Sequence, residues 1–437
     1  MDAVDAPDPH DAPGPHHAPG PHDAPDPDGA PGPHDAPGLH DAPFDPWSPE
    51  FVADPYPAYA RLRATGRAHW FAPTGQWLIP HYEDVSALLR DRRLGRTYTH
   101  RFTHEEFGRE APPAAHEPFH TLNDHGLLDL EAADHTRIRR LVSKAFTPRR
   151  VEDLAPTVRR LAAGLVGELV ATGGGDLLSV VAAPLPVAVI AEMLGIPEDE
   201  EERGRLRPWS ADICGMFELN PSEETARRAV RASIEFSDYL RELIARRRKE
   251  PGDDLISALV GVAELTEQEM ISTCVLLLNA GHEATVNTTV NGWWRLLKEG
   301  VRPDAGNPEK LSTAVEEILR YDTPLQMFER WVLDDIEIDG QVIPRGSEVA
   351  LLFGSANRDP ARFGPTADRL DLTRADNPHL SFGAGIHYCL GAPLARLELT
   401  AIFGELLRQA PGIRLAAEPV WKPGYVIRGF EALRVEV

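Results

Sequence analysis

Ten consecutive residues, 382–391, concentrate the chemistry of this 437-residue chain: Phe-Gly-Ala-Gly-Ile-His-Tyr-Cys-Leu-Gly. Cys389 is one of only 3 cysteines. Leu390, Leu394, Leu397 and Ala401 follow at helical spacing, which puts Cys389 at or just before a helix N-terminus. The partial positive charge there, with the backbone N–H groups of the turn, favours a thiolate over a thiol. Such a thiolate is a good single ligand for haem iron, and axial thiolate ligation favours O–O cleavage. Gly383 and Gly385 let the loop approach a flat macrocycle where a Cβ would clash. Gly391 would let the next helix pass close beneath the ring, Phe382 would pack against the sulfur, and His387 would reach a propionate. A buried structural cysteine is the weaker reading. Zinc is weaker still, because it needs about four ligands in recurring spacing, and Cys214 and Cys274 stand alone.

The pattern Phe-Gly-x-Gly-x-His-x-Cys-x-Gly resembles the haem-binding loop of bacterial cytochrome P450 enzymes, the haem-thiolate monooxygenases. Residues 280–285, Ala-Gly-His-Glu-Ala-Thr, resemble the family's oxygen-activation motif, Ala-Gly-x-Asp/Glu-Thr. Ala280 and Gly281 then lie beside the cofactor, and Glu283 matches the acid that relays protons. The next position usually holds threonine, and here it is Ala284. Thr285 comes one residue late, and a helical step of about 100° aims it elsewhere. This departure keeps a second reading open: a haem-thiolate enzyme doing oxidative coupling, dehydration or peroxide-driven oxidation.

The resemblance extends over 44–437, with its motifs in family order. His135 and Arg139 share one helix face and match propionate ligands, as do Arg330 and His387. Arg137, Arg140, Lys144, Arg149 and Arg150 make a basic island that would dock an acidic electron donor. Leu325, Gln326, Met327 and Phe328 match a stretch facing substrate. Glu317 and Arg320, three apart on a helix, would join Arg374 in a structural network shaping the haem loop. What the family implies is therefore haem b held by Cys389, O2 as co-substrate, a small organic substrate, and electrons from a separate ferredoxin and ferredoxin reductase.

These residues need a large scaffold, and the chain is long enough to build one. A capping box at residues 266–269 opens a long helix that is apolar on most sides and so should be buried. Gly281 beside Glu283 inside it predicts a local widening. Residues 336–344 read as a hairpin turning at Asp339-Gly340. The motifs are scattered and converge on one cofactor, so we expect a single large haem-binding domain, mainly α with a minor β region: the cytochrome P450 fold, over 44–437. Residues 1–43 are a six-residue Asp/Ala/Pro/His repeat with few apolar side chains, expected as a disordered tail.

Composition closes off other classes. With 45 Lys+Arg against 68 Asp+Glu, the formal net charge of −23 argues against nucleic-acid binding. The most apolar stretch, 180–196, is broken by Pro184, Pro186 and Glu192 and does not span a membrane. No disulfide framework and no signal-like start are seen, which predicts a cytoplasmic protein. Monomer is the default expectation.

Overall fold

Phe44 begins the described part of the chain by packing edge-on against Phe51, Phe71 and Tyr425. The structure is a computed structural model that describes residues 44–437. The repeat at 1–43 lies outside the described residues. Helix α1 (Tyr56–Thr65) leads into strands β1 (His69–Phe71) and β2 (Gln76–Ile79), and a short β3 (Leu94–Gly95) follows. The helical body then runs through α2 (Ala132–Ala145), α3 (Pro148–Ala171), α4 (Pro184–Leu194), α5 (Glu200–Cys214) and α6 (Glu223–Lys249). Their starts are legible as caps: Thr147, Asp199 and Ser222 each accept a backbone N–H of the first turn. Gly195, in the left-handed region at φ 72°, ends α4.

Helix α7 (Glu267–Glu299) is the spine. Thr266 and Glu269 close the expected capping box. Leu278, Val290 and Trp293 are fully buried along it, and burying such a side chain contributes about 1.5–3 kcal/mol. The expected widening at Gly281 is absent: α7 is continuous. A Cβ at 281 would lie 3.4 Å from Ile190 Cδ1, so the glycine serves the close packing of α4 on α7.

After α8 (Pro308–Tyr321) come β4 (Phe328–Val332), the hairpin β5 (Ile336–Ile338) and β6 (Gln341–Ile343), and β7 (Glu348–Leu351). Asp339 and Gly340 turn that hairpin with φ of 52° and 79°, as an Asp-Gly turn requires. Strands β1-β2-β7-β4-β3 form one sheet in that order, with β2 and β7 parallel and the other pairs antiparallel. Helix α9 (Ala392–Gln409) packs on α3, α7 and α8. Among the described residues, no helix is long and apolar enough to cross a membrane.

One buried knot ties α8 to the segment before the cysteine loop. Arg320 donates to both carboxylate oxygens of Glu317 at 2.7 Å and to the carbonyls of Asn357, Ala367 and Arg369. Arg374 Nε reaches Glu317 at 3.1 Å, and the Asp371 N–H at 2.8 Å. Every lone pair of a fully buried carboxylate is thereby occupied, which is the condition under which a buried ion pair is tolerated.

Candidate active site

A cavity of about 410 Å³ lies between α7 and the loop that carries Cys389. Its walls are mostly apolar, as in small-molecule sites generally. Cys389 lines it, and the Cys389 N–H donates to Phe382 O at 3.0 Å, closing the loop on itself. Gly385 sits at φ 70°, and a Cβ there would come within 2.4 Å of Leu89 O, so only glycine fits this close approach. Phe382, Gly383 and Gly391 line the cavity beside it.

Helix α9 starts at Ala392, just past Gly391. The expected lowering of the thiol is not the net outcome. Burial pushes the Cys389 thiol up, against the opposing pull of the Gly391 and Ala392 N–H groups and the Arg139 and Arg396 guanidiniums. The helix-end amides are in place, but desolvation outweighs them. A metal cation on the sulfur reverses that balance, because a coordinating thiol is deprotonated outright.

The polar end of the cavity carries more positive than negative groups. Arg330 is buried, its Nη1 donating to Glu329 O at 2.8 Å. Burial and then the Arg96 charge pull it down to about 9. His387 Nε2 donates to Glu131 Oε1 at 3.1 Å. Burial works to raise Glu131, yet His387 and the Arg96 N–H hold it below the usual carboxylate range. Arg139 lines the cavity and lashes the cysteine loop, donating to Ile386 O at 3.1 Å and Tyr388 O at 2.6 Å. His135 stands behind His387 and does not itself line the cavity. It is buried, with its ring 4.5 Å from that of His387 and its Nε2 without a partner. Burial and the neighbouring positive charges push it down to about 4, so it is neutral. Cys214, at the end of α5, also lines the cavity, but Cys389 alone sits in the glycine loop; that sulfur, with Arg139 and Arg330 beside it, fits a metal-centred ring bearing anionic side groups, and haem is such a group.

The opposite wall is α7. Ala280, Gly281, Glu283 and Ala284 line the cavity, and so does Thr285, against the expectation that its helical step turns it away. Ala284 O accepts from Thr288 Oγ1 at 2.7 Å. The Glu283 carboxylate is loosely held: Asn287 Nδ2 is 3.4 Å away, His282 Nδ1 3.6 Å and Lys422 Nζ 3.7 Å.

Leu325, Met327 and Phe328 line the cavity, and Gln326 does not. Its side chain turns into the core, donating to Thr323 O at 2.6 Å and accepting from Tyr59 Oη at 2.9 Å. The basic island is also smaller than expected, since Arg137 is spent on Glu269 and Arg150 faces Asp253. Arg140, Lys144 and Arg149 remain exposed. Three site residues escaped the sequence reading: Glu131, Glu218 and Lys422. Each meets its partner across more than 100 residues of chain, and none lies in a motif.

A cytochrome P450 family model matches residues 309–409. The chain is 39% identical over 402 residues to the cytochrome P450 monooxygenase PikC of Streptomyces venezuelae, spanning 88% of this chain and 92% of that protein. To 6-deoxyerythronolide B hydroxylase of Saccharopolyspora erythraea it is 37% identical over 406 residues, 89% of this chain and 98% of the other. Among solved structures, P450BioI in complex with hexadec-9Z-enoic acid ligated acyl carrier protein superposes with a TM-score of 0.82 at 34% identity, covering 89% of this chain and all of that one. The bacillaene polyketide synthase cytochrome P450 PksS of Bacillus subtilis gives 0.79 at 36% identity, with 90% and 99% covered.

Proposed function

The chain belongs to the cytochrome P450 family, and from that premise we propose that it is a haem b monooxygenase acting on a small natural-product substrate of the polyketide kind. One observation carries the reading: a thiol held in a glycine loop on the wall of an apolar cavity that Arg139 and Arg330, neither paired with a carboxylate, also line. When bound, haem supplies the activation of O2, with two electrons and two protons taken up, one oxygen atom passing to product and one to water.

The residues present each have a task in that account. Cys389 is the iron ligand, and the Gly391 and Ala392 N–H groups stabilise its negative charge. Arg330, Arg139 and His387 hold the propionates, with Glu131 fixing the orientation of the His387 ring. Arg139 also keeps the loop in place through its carbonyls. Glu283 holds a proton at the cavity edge and passes it inward, with Thr285 as the hydroxyl within the wall. Leu325, Met327 and Phe328 shape the apolar face that meets the substrate and excludes water. A separate ferredoxin, reduced by its reductase, docks on the exposed Arg140, Lys144 and Arg149 and is steered there by charge. The protein acts as a monomer in the cytoplasm.

Turnover under isotopically labelled O2 tests the reaction type, and the account expects one labelled oxygen atom in the product. Ala284, in the position of the usual hydroxyl, favours one alternative: an oxidation without oxygen insertion. Unlabelled product with O2 consumed would establish it.

A further inference from the structure

The segment before the C-terminal strand forms a hairpin that meets both Glu283 and the roof of the cavity. The Lys422 N–H donates to Gly429 O and the Glu431 N–H to Val420 O, each at 2.9 Å. The rings of Trp421 and Phe430 lie 3.9 Å apart, and Arg428 covers Trp421 at 3.7 Å. Lys422 therefore extends from a fixed backbone. Its ammonium stands 3.7 Å from Glu283 Oε2, with the lysine side chain 35% exposed and the glutamate 15%. No contact of that carboxylate with a side-chain donor is shorter than 3.4 Å.

At the hairpin tip a second carboxylate is held tightly. Glu218, just beyond α5, accepts the N–H groups of Tyr425 (2.9 Å), Val426 (3.0 Å) and Ile427 (2.9 Å). Two glycines let the hairpin pack closely, Gly424 against Glu218 and Gly429 against Asn287 of α7. A Cβ at Gly424 would lie 2.8 Å from Glu218 Oε1, and one at Gly429 would lie 1.9 Å from Asn287 Oδ1. Met216 and Phe217 on one side, and Val426 and Ile427 on the other, line the cavity. The Glu218 contact thus fastens roof to wall.

We propose that Lys422 is a positioning residue for Glu283, carried on a strap, residues 420–431, that Glu218 pins to the cavity roof. The proposal rests on the reading of Glu283 as the proton-holding acid. Lys422 parks the carboxylate where the cavity edge reaches solvent, and there it regains protons. The long contacts leave it free to swing inward and deliver them. Without Lys422 protons arrive late, and O2 leaves as hydrogen peroxide, after two electrons and two protons, rather than as water, after four of each.

The test uses the haem-loaded enzyme, fed by NADPH through a surrogate ferredoxin and reductase with no substrate added, and reads the ratio of peroxide to water. Lys422→Met raises that ratio roughly threefold, the scale of a partly exposed ion pair, and Lys422→Arg restores it. Glu218→Gln raises it less and speeds amide hydrogen exchange at 425–427. The carbon monoxide spectrum of each variant shows that it is folded and loaded. A wild-type ratio in Lys422→Met, with Glu283→Gln raised, overturns the role of Lys422. Unchanged exchange in Glu218→Gln overturns the pin. Wild-type ratios in Lys422→Met and Glu283→Gln alike overturn the reading of Glu283 itself.

Discussion

Glu317 and Glu283 both face cations, and they are built in opposite ways. Glu317 is fully buried and bound by Arg320, Arg374 and a backbone N–H, with its two shortest bonds at 2.7 Å. Glu283 lies at the edge of the cavity among donors that all stay at 3.4 Å or more. A charge in the core survives only when every lone pair is satisfied, so the first arrangement can hold one geometry and nothing else. A loosely held carboxylate at a cavity rim keeps some solvation and freedom to move, which is what proton transfer asks of it. Tight pairing fixes the scaffold, and loose pairing leaves chemistry available.

Breaking the tight site gives the largest effect. Glu317→Ala leaves Arg320 buried and uncompensated, a cost of about 3–5 kcal/mol, read as a fall in the thermal unfolding midpoint. Arg374→Ala does the same more weakly, because Arg320 still answers Glu317. At the loose site the effects move from stability to turnover. Glu283→Gln lowers product formation about 10²-fold, while the unfolding midpoint stays near wild type and the substrate-induced spectral shift still saturates at similar concentrations. Ala284→Thr restores the usual hydroxyl. Product per electron consumed then rises a few-fold, measured beside peroxide release.

A third glutamate sharpens the contrast, since Glu398 in α9 is buried with an unpartnered Oε1. Burial alone pushes it up to about 8 from an ordinary 4.5. The folded state therefore binds a proton that the unfolded state releases, and stability falls as pH rises between those two values. Above the higher value both states are ionised and the loss is complete. Glu398→Gln removes this dependence. Its unfolding midpoint matches wild type near the lower pH and exceeds it near the upper one. Equal midpoints at both ends would show that Glu398 has a partner or a route to water.

The readable parts of the chain were those in which the determinants are contiguous. Residues 382–391 carry their own turn, their own glycines and the start of the next helix, so the Cys389 loop could be read without the rest. Thr266 and Glu269, or Asp339 and Gly340, are likewise local and appear where the pattern puts them. Gln326 shows the limit: its neighbours in sequence face the cavity, but hydrogen bonds to Thr323 and to the distant Tyr59 turn its amide inward. Glu131 meets His387 across 256 residues, and Glu218 meets Tyr425 across 207. Such pairings are set by how helices and loops pack. No period or motif in one sequence encodes them. Gly281 erred in the other direction, since a glycine beside an acid reads as a distortion until Ile190 is seen to need the space.

The central claim is that the Cys389 sulfur holds the haem iron. The reduced carbon monoxide complex of wild-type protein and of Cys389→Ala, recorded after reconstitution with haem, tests it most directly. The wild type gives the red-shifted Soret band of thiolate ligation and the variant loses it, because Cys214, the other cysteine that lines the cavity, ends α5 and lies outside the glycine loop. A variant that keeps that band, or a wild type that lacks it while binding haem, would contradict the assignment.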